Sequence, residues 1–517
     1  MDKLAKRACD SSYSFDLNVR GWIPPELSGS LVVAASRRDK QRAKFSRWHD
    51  AQADLIRLDL FPGRSGRIRA HVLAVDSRRL PTALSQKAPG EGGPAARIGN
   101  ETQPNHGVNI AGNSLWATNL LFGAPVELDL ANWQPRRVLC YLEPNSIAPR
   151  VSTTSHFAWS RDGRYAYFHQ SLLEAERNGD PVLAADLHLI ELDTATGSER
   201  LWRLEPPADD ADLAAANFHS AFYFEERGRK YVGLLKTGAI IENLKSHQEP
   251  PEHAVTCSPV STIWIVEIDH AKATLVAETL PGIRDLNGIA LSHLDIDNSE
   301  GDGFVLYANY KEADVAEETH GLNVYDEAPS EVSEHYSGMI VEALNYGKVL
   351  RYARRSNGYE LKTFCRPYDP GHTSLGHSWL PINISLDASR THLYCTFSGF
   401  RPRLLSKHIA AAYPHRSVDP QRIRFVPSLL MRFRADTLEP ACGSGRDYIS
   451  YTEPMALAVV GDAATGYVCT FSPEIGLRIY RGSDLADMIC HATSASLWHW
   501  EDSHFRPEPA HMVFAPR

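Results

Sequence analysis

Three histidines recur at the head of the same small unit. His156 opens Phe157-Ala-Trp-Ser-Arg-Asp-Gly-Arg-Tyr-Ala-Tyr-Phe168, and His219 opens Ser220-Ala-Phe-Tyr-Phe-Glu-Glu-Arg-Gly-Arg-Lys-Tyr-Val232. His293 opens Leu294-Asp-Ile-Asp, a polar turn through Asn298, Glu300, Gly301, Asp302 and Gly303, and the return run Phe304 to Tyr307. Each unit reads as a β-hairpin, because aromatic and β-branched side chains flank a Gly-containing polar turn. A fourth histidine, His511, lies in Pro507-Glu-Pro-Ala-His-Met-Val-Phe514 near the end of the chain. Imidazoles without carboxylate or thiolate partners suit a first-row metal such as Fe(II), Cu or Zn, with geometry choosing among them. A single histidine is more often a hydrogen-bonded interior residue, and the chain has 22 of them. His106, in Pro104-Asn-His-Gly-Val-Asn-Ile110, and His377, in Gly376-His-Ser-Trp-Leu-Pro-Ile-Asn383, occupy comparable places, so the residues alone leave four ligands to be chosen from six.

A second recurring unit alternates with the histidine hairpins. It is a short apolar strand followed by a turn: Asp54 to Leu60, Pro125 to Leu130, Leu187 to Asp193, Thr262 to Asp269, Lys348 to Tyr352, Leu429 to Phe433 and Gly476 to Tyr480. Between successive copies lies one hairpin, over 106–118, 156–168, 219–233, 293–307, 383–397 and 456–471, while Leu27 to Ser36 serves the first copy. Two hairpins per repeat give four antiparallel strands per repeat. Seven such units predict an all-β chain folded as a seven-bladed β-propeller, one domain over 1–517 with an N-terminal arm over about 1–25. A β-sandwich or several β domains is the alternative, and it does not require so regular a spacing. The insertions, among them Glu312 to Met339 and Phe400 to Pro427, become loops and short helices capping one face. Leu404-Leu-Ser-Lys-His-Ile-Ala-Ala-Ala-Tyr-Pro414 reads as a short helix with an apolar side, where a peripheral membrane contact is the alternative to packing on the protein itself. In a propeller the first strand of each blade lies nearest the axis, so His156, His219 and His293, joined by His511 on a closing strand, are expected to meet in the central channel.

Composition narrows the function classes. The chain is 43% hydrophobic and 23% charged, with a formal net charge of -9 and no long basic or acidic block, which excludes nucleic acid as a partner. The eight cysteines are scattered without a Cys-x-x-Cys pair and read as reduced thiols. The charged N-terminus lacks a signal-peptide core, and no run reaches membrane-span length, so a cytoplasmic location is expected. A Walker loop, a dinucleotide fingerprint and a Gly-x-Ser-x-Gly nucleophile are all missing.

The motifs together resemble the carotenoid cleavage oxygenases, a family that includes apocarotenoid- and stilbene-cleaving enzymes and a retinoid isomerase. Arg20-Gly-Trp-Ile-Pro-Pro-Glu-Leu-Ser-Gly-Ser-Leu31 resembles the family's entry motif, and Phe45-Ser-Arg-Trp-His-Asp-Ala-Gln-Ala-Asp-Leu55 its Phe-x-His-Trp-Phe-Asp-Gly-Asp segment. His219-Ser-Ala-Phe222 is similar to the second-ligand motif, and His293 with Gly301, Asp302 and Val305 matches the third in offset. His156 and His511 fall where the first and fourth ligands sit. The resemblance implies a seven-bladed propeller holding Fe(II) on His156, His219, His293 and His511, and a dioxygenase that cleaves a conjugated C=C bond of an apolar polyene or apocarotenoid with O2. Four neutral imidazoles would leave two adjacent positions of an octahedron open, and the iron would supply the oxygen chemistry. Of the three glutamates that the family uses to orient ligand imidazoles through hydrogen bonds, Glu453 in Tyr451-Thr-Glu-Pro-Met455 aligns with one. No acid stands near Leu121 or at His377 to Trp379, where Asn119, His377 or a backbone carbonyl would have to substitute. That departure keeps a redox-neutral isomerase open beside the dioxygenase, and a non-catalytic propeller scaffold is the reading from a different class. Gly99 to Asn113 contains no lysine to hold a phenolate, which favours a polyene over a hydroxystilbene.

Overall fold

The computed structural model describes residues 13–39, 52–64, 66–75, 80, 104–119, 123–141, 150–174, 183–205, 217–237, 262–268, 273–279, 288–290, 293–297, 304–312, 348–355, 358–365, 378–400, 428–441, 448–451, 455–472, 476–493 and 505–517. Among these the chain is all-β. Its 31 strands are interrupted by a single 3-10 turn, Pro25–Leu27, started by prolines that pre-set the backbone and ended where Ser28 returns to the extended region. No helix among the described residues is long and apolar enough to cross a membrane. The segment 404–414, read as a short helix, lies outside the described residues.

Each hairpin expected from the sequence forms, and the second recurring unit adds the next strand to the same sheet. Val108–Ala111, Ser114–Ala117, Val126–Asp129 and Gln134–Val138 pair in that order. Asn217–Glu226, Arg229–Thr237, Thr262–Ile268 and Ala273–Thr279 do the same, as do Ser378–Leu386, His392–Phe400, Ser428–Arg434 and Tyr448–Tyr451. Two sheets carry a fifth strand. In one, Arg150–Thr153 joins Ala158–Trp159, Tyr165–Glu174, Leu183–Asp193 and Glu199–Arg203; in the other, Gly288–Ala290 and Leu294–Asp297 both pair with Phe304–Glu312, followed by Lys348–Arg355 and Gly358–Cys365.

The sixth sheet has nine strands and joins the two ends of the chain. Ala456–Val460, Tyr467–Ser472, Gly476–Arg481 and Asp484–Thr493 continue through Tyr13–Gly21 into Arg67–Ala74, Gln52–Phe61, Gly29–Asp39 and Phe505–Pro516. Residues 13–21, which the sequence reading places in an N-terminal arm, are therefore a strand. Tyr13 to Leu17 pair with one neighbour and Asn18 to Gly21 with the other, so this one segment clasps two hairpin systems. The closing strand carries His511 opposite Ala34, beside a bulge that leaves Ala510 without a partner in the register.

Successive sheets pack face to face. Strand Thr262–Ile268 shows why its sequence reads as an unbroken apolar run: Trp264 and Val266 point towards Tyr167, Leu189 and Trp202 of the preceding sheet, whereas Ile263 and Ile265 point towards Leu350 and Tyr352 of the following one. A strand covered on both faces needs apolar side chains at both parities. The same handover occurs from Leu115 and Val126 to Val32 and Leu55, from Trp116 to Phe168 and Ile190, from Leu393 and Leu429 to Tyr307 and Val349, and from Leu457 and Val468 to Tyr394 and Leu430. Val33 and Ile56 then meet Ala458, Cys469 and Ile479, so the circle of packed sheets closes where the chain ends meet. Cys140, Cys395, Cys469 and Cys490 are buried within these layers.

At the start of the hairpin that follows His106, the backbone runs tight against its neighbour. A Cβ on Gly107 would stand 2.3 Å from both the Ser155 carbonyl oxygen and Thr118 Oγ1. Only glycine allows that approach, and overpacking of this kind typically costs about 1–3 kcal/mol. Gly107→Ala is expected to lower the urea midpoint by a corresponding amount; an unchanged midpoint would mean that the Ser155 segment can retreat without loss.

Candidate metal centre

The site is made by the leading ends of four hairpins and the closing strand. His106 and His156 each precede a strand by two residues and His293 by one, while His219 lies within strand Asn217–Glu226 at a bulge between Phe218 and Ser220, and His511 lies within Phe505–Pro516. Hydrogen bonds fasten the segments of His106, His156 and His219 to one another. His106 N–H donates to the Thr118 carbonyl at 2.9 Å, and Thr118 Oγ1 donates to the Ser155 carbonyl at 3.1 Å. Asn109 bridges the same junction, donating through Nδ2 to the Ser155 carbonyl at 3.0 Å and accepting from Phe157 N–H at 2.9 Å. Ser155 and His156 N–H both donate to the His219 carbonyl, at 2.9 and 3.1 Å, and Ala221 N–H returns to the His156 carbonyl at 3.0 Å. On the far side, Asp295 accepts from Leu386 N–H at 2.8 Å, and Asn383 Nδ2 approaches the Ala510 carbonyl at 3.4 Å.

These supports bring together all four histidines selected from the sequence, and a fifth with them. The Nε2 atoms of His106, His219, His293 and His511 form a ring whose successive separations are 3.2, 3.1, 3.2 and 3.1 Å. A planar square of that edge has each corner about 2.2 Å from its centre, close to the 2.0–2.1 Å of a Zn–imidazole bond. The His156 ring stands over this group, with its centroid 4.4 Å from His511, 4.9 Å from His293, 5.0 Å from His219 and 5.7 Å from His106. Ligand atoms of His106, His156, His293 and His511 all lie within 4.8 Å of one another. His106, His219 and His293 are buried, and His156 and His511 are partly so.

The donor set fits a cation. A neutral imidazole presents at Nε2 either one proton or one lone pair. Four such nitrogens in a ring can make at most two proton-mediated contacts, so at least two of the four short contacts are not bridged by a proton. His156 Nε2 is buried and has no hydrogen-bond partner among the described residues. Protonation does not relieve the crowding. Burial pushes His156 down to about 4, and burial reinforced by the neighbouring imidazoles holds His293 and His511 well below the ordinary histidine range. Neutral imidazoles are the form that ligates a metal.

The sequence places His106 among the six candidates but outside the expected ligand set. The available signal was its position, which is the same distance ahead of its hairpin as His156. His377 and Glu453 lie outside the described residues, as does Leu121. Asn119, named in the sequence as a substitute for an absent acid, is buried beside the cluster's supports; its carbonyl accepts from Ser155 Oγ at 2.6 Å and its Nδ2 approaches Asn105 Oδ1 at 3.4 Å.

No protein-family model matches the chain, and no curated protein matches its sequence. Solved structures do match its fold. A single-residue variant of Synechocystis apocarotenoid oxygenase (ACO) aligns with a TM-score of 0.54 at 12% identity over 98% of this chain and 97% of that one. A crystal structure of an ACO/RPE65 chimera and one of cobalt-substituted Synechocystis ACO give the same TM-score, identity and coverage. Over 98% of its length the chain therefore shares the fold of apocarotenoid oxygenase.

A buried histidine outside the cluster supports a pH prediction. His169 Nδ1 lies 2.7 Å from Thr154 Oγ1, its ring packs edge-on against Phe218, and burial pushes it down to about 3. Between pH 6.5 and about 3 the unfolded chain binds a proton there that the folded chain does not. Its contribution to stability is thus complete above pH 6.5 and is lost as the pH falls through that window, by on the order of 1 kcal/mol per pH unit. Replacing His169 by Asn, which keeps an acceptor near Thr154 and does not titrate, is expected to reduce the slope of the fall in unfolding free energy between pH 6 and 4.5 by on the order of 1 kcal/mol per pH unit, the rest belonging to the cluster histidines. A slope as steep as that of the parent protein would assign the acid sensitivity to other groups.

Proposed function

We propose that the protein is a non-haem Fe(II)-dependent dioxygenase that cleaves a conjugated C=C bond in a small apolar, polyene-like substrate. The observation that carries this reading is the convergence of imidazole nitrogens from sheets distant in sequence, in a fold shared with apocarotenoid oxygenase. His156, His219, His293 and His511 hold the iron in this reading, and Glu453 orients a ligand imidazole. The circle of packed sheets is read as one domain, a seven-bladed propeller closed by the pairing of Gly29–Asp39 with Phe505–Pro516, which places the histidines at its axis.

Bound iron supplies the activation of dioxygen towards the alkene. The chain's own residues do the rest. Burial keeps the imidazoles neutral, and hydrogen bonds between neighbouring sheets fix where the His106, His156 and His219 segments stand before substrate arrives. Cleavage balances as one alkene and one O2 giving two carbonyl products. The cytoplasm is the proposed location. A redox-neutral isomerase is the second reading, favoured by the absence of acids near Leu121 and at His377 to Trp379.

Two measurements separate these readings from a scaffold. After anaerobic reconstitution of untagged protein with Fe(II), close to one equivalent of iron is expected. His219→Ala should lose most of it together with turnover while keeping the circular-dichroism spectrum of the parent. Less than about a tenth of an equivalent in the parent protein leaves only a binding scaffold. With a panel of apocarotenoids under labelled oxygen, dioxygenase action gives shorter carbonyl products carrying label, whereas geometric isomers without label establish the isomerase.

A further inference from the structure

We propose that His106 is a fifth ligand, so that the metal centre presents five imidazoles and leaves a bound ion one exchangeable position instead of two. This rests on the metal reading above and departs from the four-histidine set drawn from the sequence.

The argument is geometric. His106 Nε2 is 3.2 Å from His219 Nε2 and 3.1 Å from His511 Nε2, separations indistinguishable from the 3.1 and 3.2 Å that link His293 to its two neighbours. The His106 ring meets that of His511 at 4.4 Å and 87°, as close as His156 comes to His511. Nothing in the ring of four nitrogens distinguishes His106 from the three selected histidines that share it. A merely neighbouring imidazole could turn its nitrogen aside, but this residue has little freedom. Its backbone N–H is bonded to the Thr118 carbonyl, the next residue is the Gly107 that no side chain could replace without collision, and its side chain is buried. His156 cannot be dropped in its favour either, because its Nε2 is buried, lacks a hydrogen-bond partner and stands over the same group.

An octahedral ion with five fixed nitrogens can accept one outside molecule. Dioxygen and an alkene could not both bind at adjacent positions on it, so the apolar substrate would be held by the protein wall beside the ion. Exogenous small ligands should then bind one at a time.

Co(II) loaded into the full-length protein gives a direct count. A histidine that binds through Nε2 carries an exchangeable Nδ1–H, and paramagnetic cobalt shifts that resonance far outside the diamagnetic range. Five such solvent-exchangeable signals are expected in the parent protein and four in His106→Ala, with cobalt affinity at least tenfold weaker in the variant. Four signals in the parent overturn the fifth-ligand inference and leave the metal reading standing, and so does an unchanged count and affinity in a folded His106→Ala. Failure of the parent to bind cobalt or Fe(II) overturns both. If His106→Ala does not fold, the count in the parent decides the question alone.

Discussion

Five imidazole rings forced into one small volume impose the constraint on which the rest of the structure depends. Neutral imidazoles repel when their lone pairs face one another, and the contacts at 3.1 to 3.2 Å cannot all be bridged by protons. Charging the rings would be worse, because each proton would add a buried positive charge. The arrangement is therefore one that a cation would stabilise, and the surrounding fold must be stable enough to hold the rings together.

That stability comes from layers of apolar side chains between successive sheets. Fully burying a Leu, Val or Phe side chain contributes about 1.5–3 kcal/mol, and each inter-sheet layer contains several with essentially no exposure, among them Val232, Leu234 and Trp264 in one and Leu393, Phe397 and Leu429 in another. Because the layers run in a circle, no sheet can shift without opening two of them. The nine-stranded sheet locks the circle by pairing the first long hairpin with the last strand of the chain, and that last strand delivers His511. The strand that closes the fold is thus the one that completes the cluster.

Polar side chains near the cluster carry a different load. Asn109, Thr118 and Ser155 are buried, and their hydrogen bonds cross from one sheet to the next at the level of the histidines. Apolar packing alone would leave the relative height of the sheets free to slide. Directional bonds at the inner edge set that height and hence which nitrogens meet.

Much of this was legible in the sequence. Period-two patterning and Gly-containing turns marked the hairpins, since local backbone preference and side-chain parity are properties of short segments, and the strands Leu183–Asp193, Thr262–Ile268 and Gly476–Arg481 formed where their apolar runs stand. The matched positions of His156, His219 and His293 ahead of their hairpins also pointed to a shared location. What the sequence could not decide was membership: His106 and His377 carried the same local signature, and only the meeting of sheets in space, fixed by long-range packing and by bonds such as those from Ser155 and His156 to the His219 carbonyl, brings His106 into the ring. Nor could it show that residues 13–21 are a clasp between two hairpin systems, because strand pairing across the ends of a chain depends on where the whole circle closes. Local chemistry is written in neighbouring residues, whereas the convergence of nitrogens is set by distances that no neighbour controls.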